Sequence, residues 1–194
     1  MKAWTIHRYG SPDALAFEDV AKPEIAANEV LVHVRAASLN PYDWRYLRAD
    51  PSLVRLSHGL LRPKSGPIPG ADLAGEVEAV GGDVTRFRPG DEVYGGVTLG
   101  AFAEYARVPE DTLAAKPANL TFAQAAAVPM AAQTALQALR DEGRIEAGQR
   151  ILVNGASGGV GGPAGWRRRR ATRRGSRRVP RRGRGPRQVP RSRR

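Results

Sequence analysis

Apolar and polar positions alternate along much of the first 120 residues. KAWTI, residues 2–6, reads as a short strand. In EVLVHVRAASLN, residues 29–40, Val30, Val32 and Val34 share one face and Leu31, His33 and Arg35 the other, the period-2 signature of a half-buried strand. The pattern resumes in GADLAGEVEAVG, in RPGDEVYGGV after a turn at Pro89-Gly90-Asp91, and in AFAEYARVP. Residues 51–69 carry Pro51, Pro63, Pro67 and Pro69 and read as a loop. Many short strands separated by Gly/Pro turns predict a small β-barrel or sandwich.

The period changes at Thr121. TFAQ fits a capping box, Thr121 with Gln124, ahead of an alanine-rich helical run interrupted by Pro129. A second helix is predicted over 130–142, with Gly143 as its terminator. RILVN then reads as an apolar strand that runs directly into NGASGGVG. All-β first and helix–strand–glycine loop afterwards place a domain boundary near residue 120. The expected fold class is therefore α+β giving way to α/β, with a barrel domain over 1–120 and the start of a nucleotide-binding domain over 121–162.

The glycine loop carries the first candidate chemistry. Gly155, Gly158 and Gly161 lie three apart directly after the apolar run. Glycines permit a tight turn and let backbone N–H groups approach a pyrophosphate, which a following helix N-terminus also favours. Asn154, Gly155, Ala156, Ser157, Gly158, Gly159, Val160 and Gly161 are the cofactor-binding candidates. An ordinary strand-end turn is the alternative, and Ser157 could equally cap the next helix.

Charge changes the picture at the C-terminal end. The 194-residue chain has a formal charge of +12, yet residues 163–194 hold 15 arginines and no Asp, Glu or Lys. That leaves 16 basic residues against all 19 acids in the body, a net charge of −3. The tail's large apolar residues are Trp166, Val179 and Val189, too few to offset its ordering entropy, so it is expected to be disordered with transient helix around Arg167–Arg174. Two origins stand open: an out-of-frame translation of a GC-rich gene, or a basic arm binding nucleic acid non-specifically through phosphate contacts. The chain has no cysteine, which excludes disulfides and thiolate metal sites. No signal-like or membrane-length apolar run is present, so a cytoplasmic protein is expected.

Several motifs resemble one family in order and spacing: AASLNPYDWR (36–45), PIPGADLAGEVEAVG (67–81), FRPGDEVYG (87–95), FAEYARVPED (102–111), AAAVPMAAQTALQAL (125–139) and GQRILVNGASGGVG (148–161). Residues 1–162 resemble the medium-chain dehydrogenase/reductase superfamily, in its zinc-independent, quinone oxidoreductase-like branch. The resemblance implies a GroES-like barrel, a Rossmann domain holding NADPH or NADH, and an active-site cleft between them. It implies hydride transfer to a quinone or enone, and a homodimer as a possible assembly. Gly70, Gly75, Gly81 and Val84 keep the spacing of the zinc-enzyme signature, but Ala71 stands at the zinc-binding His position, Asp72 at the Glu position and Asn40 at the Cys position. No zinc is therefore expected, and no metal ion polarises the substrate carbonyl.

The same resemblance places Asn40, Asp43 and Thr134 at the substrate and nicotinamide cleft. Turn chemistry is the alternative for the first pair, and a backbone-bonded helix threonine for the last. Tyr42, Trp44 and Tyr46 are candidate aromatic surface for a quinone ring, or packing between domains. His7, His33 and His58 fit no metal-ligand spacing and read as surface or loop histidines. Because the Rossmann pattern stops at Gly162, the chain is expected to be a truncated, inactive form of its family.

Overall fold

The computed structural model describes residues 1–50, 55–56, 59, 63 and 68–163. Most of the proline-rich 51–69 stretch, His58 and the arginine tail from residue 164 onward lie outside the described residues, and with them the expectations of loop and disorder made there.

Seven strands and three helices organise the described chain: β1 (Lys2–Ile6), β2 (Leu15–Asp19), β3 (Glu29–Ser38), α1 (Pro41–Arg48), β4 (Asp72–Val80), β5 (Glu92–Gly96), β6 (Tyr105–Pro109), β7 (Leu113–Ala115), α2 (Phe122–Ala126) and α3 (Pro129–Gln137). β1 and β2 form an antiparallel pair, and the other five make a sheet in the order β6-β3-β4-β5-β7. Residues 102–104 tie the sheets together: Trp4 N–H donates to Phe102 C=O, Glu104 N–H to Lys2 C=O, and Val34 N–H to Glu104 C=O.

The alternation in β3 buries Val30 and Val32 completely, in one core with Leu73, Val77, Val93 and Val108. Leu31, expected on the opposite face, is also buried. Register shifts between Leu31 and Val32 and between Val34 and Ala36 explain this. Each bulge rotates the strand locally, so a strict two-face pattern does not survive along it. β4 approaches β3 so closely that a Cβ on Gly75 would sit 2.1 Å from His33 C=O. The predicted turn at Pro89-Gly90-Asp91 is present, with Gly90 at φ +92° and Arg88 N–H donating to the Asp91 carboxylate.

Two elements escaped the pattern. β2 alternates weakly and exposes Phe17. NPYDWRYLR reads as turn chemistry but forms α1: Pro41 occupies the first helical position, where its missing N–H costs nothing, and Asn40 N–H donates to Asp43 Oδ2 at 2.6 Å.

The capping box at Thr121 is present: Gln124 N–H donates to Thr121 Oγ1 at 3.2 Å and Thr121 N–H to Gln124 Oε1 at 3.0 Å. Ala125 and Ala126 are small enough to set α2 directly on Ala74 of the sheet. α3 continues into one wide π turn over Ala138–Glu142 and stops at Gly143, whose N–H reaches Ala138 C=O.

RILVN departs from expectation. Residues 150–153 form no strand; Leu152 is 92% exposed and Ile151 37%. A strand exists only through its neighbours' hydrogen bonds, and this segment pairs with none among the described residues. The glycine loop that follows is a run of turns closed by Gly158 N–H to Gly155 C=O and Gly162 N–H to Gly158 C=O, both 2.9 Å. None of the helices among the described residues is long and apolar enough to cross a membrane.

Candidate functional site

Polar side chains converge where the barrel meets α3. Asp72 opens β4 between Ser38 of β3 and Gly96 of β5. Its side chain is buried, and Oδ2 accepts from Asn40 Nδ2 at 3.1 Å, Met130 N–H at 3.1 Å and Ser38 Oγ at 3.3 Å. Asn40 Nδ2 also donates to Ser38 Oγ at 3.1 Å. Burial pushes the Asp72 carboxyl above its ordinary pKa, against the pull of these donors. Asp43 is buried beside it. Desolvation raises its pKa first, the Asn40 N–H opposes, and the Asp72 charge adds to the rise. Two neighbouring carboxylates, each removed from water, disfavour double ionisation.

The hollow above this network, about 270 Å³, lies between Asp72 and Val97 on the barrel and Met130, Gln133, Thr134 and Gln137 on α3. Thr134 Oγ1 donates to Met130 C=O at 2.6 Å, one turn back in its own helix. Tyr42 borders an adjoining hollow with Ala71, Val97, Met130 and Gln133. Burial, and then the Asp43 charge, raise the Tyr42 hydroxyl pKa, so it remains a neutral donor at physiological pH.

The structure thus brings Asn40, Asp43, Tyr42 and Thr134 to one region and separates the other candidates. Trp44 points outward under the Arg45 and Arg48 guanidinium groups, each 5.6 Å from its ring. Tyr46 packs inside with Ile6 and Leu47, and burial pushes its hydroxyl up to about 12. On α1, residues two apart point to different sides, so Trp44 does not share a face with Tyr42 or Tyr46, whereas Tyr46, one turn after Tyr42, lies near enough for the Tyr42 charge to raise its pKa.

The glycine loop stands apart, around a hollow that Leu139, Val153, Asn154, Gly155, Val160 and Gly161 help to line. Ala156, Ser157 and Gly159 are exposed. Gly155 adopts φ +70°, and a Cβ on Gly161 would fall 2.2 Å from Gly155 C=O. A side chain would be strained at Gly155 and would clash at Gly161, so both positions favour glycine.

The cleft does not fit zinc. Ala71 offers no donor atom, the Asn40 amide is engaged with Asp72, and no group of three His, Cys, Asp or Glu side chains that could hold a metal occurs among the described residues. A larger hollow of about 600 Å³ lies between Trp4, Phe17, Val34 and Phe102, with Lys2, Arg35 and Glu104 also on its lining. His7 pairs with Glu18 at the surface and the His33 ring stacks on Tyr105.

The sequence marked Asp72 only as the residue at the Glu position of the zinc-enzyme signature; its place at the centre of this hydrogen-bond network was not legible there.

The barrel order, the glycine close approaches and the flanking helices find their counterpart among known proteins. Residues 26–118 match the alcohol dehydrogenase GroES-like domain family. A 2-methylene-furan-3-one reductase of Solanum lycopersicum is 41% identical over 174 residues, covering 83% of this chain and 42% of the relative. The quinone oxidoreductase of Sus scrofa is 39% identical over 163 residues, covering 83% and 47%. The solved quinone oxidoreductase of Coxiella burnetii superposes with a TM-score of 0.74 at 34% identity, over 84% of this chain and 51% of that one. The Escherichia coli quinone oxidoreductase, solved with NADPH, gives 0.74 at 29% identity, over 87% and 50%. The chain spans less than half the length of these curated relatives.

Proposed function

We propose that this GroES-like chain supplies the substrate side of an NADPH-dependent oxidoreductase that reduces quinones or enones without zinc. The observation that carries the reading is the cleft in which Asn40, Asp72, Met130 and Thr134 meet across the barrel and α3. Relatives named for quinone and alkenal/one reduction support the substrate class, and an NADPH-dependent one supports the cofactor. When bound, NADPH supplies the hydride. The backbone from Gly155 to Gly161 would hold its pyrophosphate. Tyr42, held protonated by burial, donates to the substrate's carbonyl oxygen where negative charge develops. Gln133 and Thr134 border the acceptor on the α3 side. Among the described residues the exposed 150–153 segment pairs with no strand, so the phosphate loop it carries would hold NADPH weakly.

The test joins residues 1–162 to the remaining cofactor domain of the Escherichia coli quinone oxidoreductase and follows nicotinamide absorbance with a quinone present. The chimera should oxidise NADPH in a quinone-dependent way while the chain alone does not. A folded chimera with no such oxidation contradicts the assignment.

A further inference from the structure

α3 begins without a cap of its own. Its N-cap residue, Val128, offers no side-chain acceptor, and Pro129 has no N–H. The next donor, Met130 N–H, is satisfied instead by Asp72, 58 residues earlier in the chain. A carboxylate at a helix N-terminus also meets the favourable end of the helix dipole. The same Oδ2 atom takes the Asn40 carboxamide and the Ser38 hydroxyl. Met130 C=O in turn accepts from Thr134 Oγ1. One continuous path therefore runs Asn40–Asp72–Met130–Thr134, from the end of β3 to the second turn of α3.

We propose that Asp72 is a positioning residue: it caps α3 from within the barrel and holds Asn40 and Thr134 in one fixed relation through a single shared carboxylate oxygen. Its consequence for catalysis rests on the proposed function; the geometry does not. A side chain tied to donors on three elements has few alternative rotamers, and removing it leaves those buried donors unpaired. Asp43, from α1, is the titratable neighbour. β3, β5 and α3 present Ser38, Gly96, Met130, Gln133 and Thr134, none of which titrates in the same range.

The experiment is a pH titration of the full chain by NMR, read at the Asn40 side-chain amide and the Met130 backbone amide. Both resonances should move with one common midpoint, above the ordinary aspartate range. The Asn40 backbone N–H, which donates to Asp43, follows the coupled titration of that neighbouring carboxylate separately. Asp72→Asn should abolish the shared transition. Ser38→Ala, which removes one donor to Asp72 along with an acceptor for Asn40 Nδ2, should raise the common midpoint at both resonances. Separate midpoints in the native chain, a shared transition that persists in Asp72→Asn, or a midpoint unmoved by Ser38→Ala would each overturn the inference. The readout requires no turnover, so its failure is distinct from failure of the chimera.

Discussion

DLAGEV in β4 and ILVNG before the phosphate loop both read as apolar strands running into a glycine, yet Leu73 is fully buried and Leu152 is 92% exposed. The difference lies in the neighbours. β4 has β3 on one side and β5 on the other, both antiparallel. The 150–153 segment has no such partner among the described residues, and an apolar run cannot hydrogen-bond or bury itself alone. Side-chain pattern proposes a strand; a partner makes one.

The sharpest way to break this comparison is to truncate the two leucines. Leu73→Ala should cost about 2–5 kcal/mol through lost burial and a residual cavity, whereas Leu152→Ala should stay within about 0.5 kcal/mol. Urea unfolding followed by tryptophan fluorescence measures both, and equal losses would show that the 150–153 segment is packed after all. A pair of glycines sharpens the same point. Gly75→Ala forces a methyl against the His33 carbonyl and should cost about 1–3 kcal/mol, whereas nothing lies within 4 Å of a Cβ on Gly159, so Gly159→Ala should leave the unfolding midpoint unchanged.

Removal of the Thr121 cap should cost about 1 kcal/mol, by calorimetry of Thr121→Ala, because α2 is docked on Ala74 and its loosening is felt by the sheet. The smallest effect is pH-linked. Burial raises the carboxyl pKa of Asp72 in the folded state above its unfolded value. Its contribution to stability is therefore fully present below the ordinary aspartate range and fades as pH rises through the raised value. Relative to Asp72→Asn, the native chain should gain stability on acidification across that window. A pH-independent difference between the two unfolding midpoints would remove this electrostatic account.

Local signals carried much of the fold. The alternation of Val30 and Val32 marked β3, and the Thr121–Gln124 spacing marked the start of α2, because each depends on residues a few positions apart. Long-range geometry was not legible. The bulges that bury Leu31 come from pairing with β4, and α1 was hidden because Asn-Pro and Asp serve turns and helix starts alike. In the site, Asn40, Asp43 and Thr134 were named through the family resemblance, and Tyr42 as candidate aromatic surface. Trp44 was grouped with Tyr42 and Tyr46 without the helix that turns it to another side. Asp72 was legible only as the residue at the signature's Glu position, since what distinguishes it further is three donors arriving from Ser38, Asn40 and Met130.

The most direct test of the two-region account is hydrogen–deuterium exchange on the full chain with and without NADPH. Amides of β3, β4 and β5 should be strongly protected, and those from Leu152 to Gly161 should exchange near the rate of an unfolded chain in both samples. Protection of Val153–Gly161 equal to that of the β4 amides, or strong protection there on adding NADPH, would show a supported cofactor loop and contradict the account.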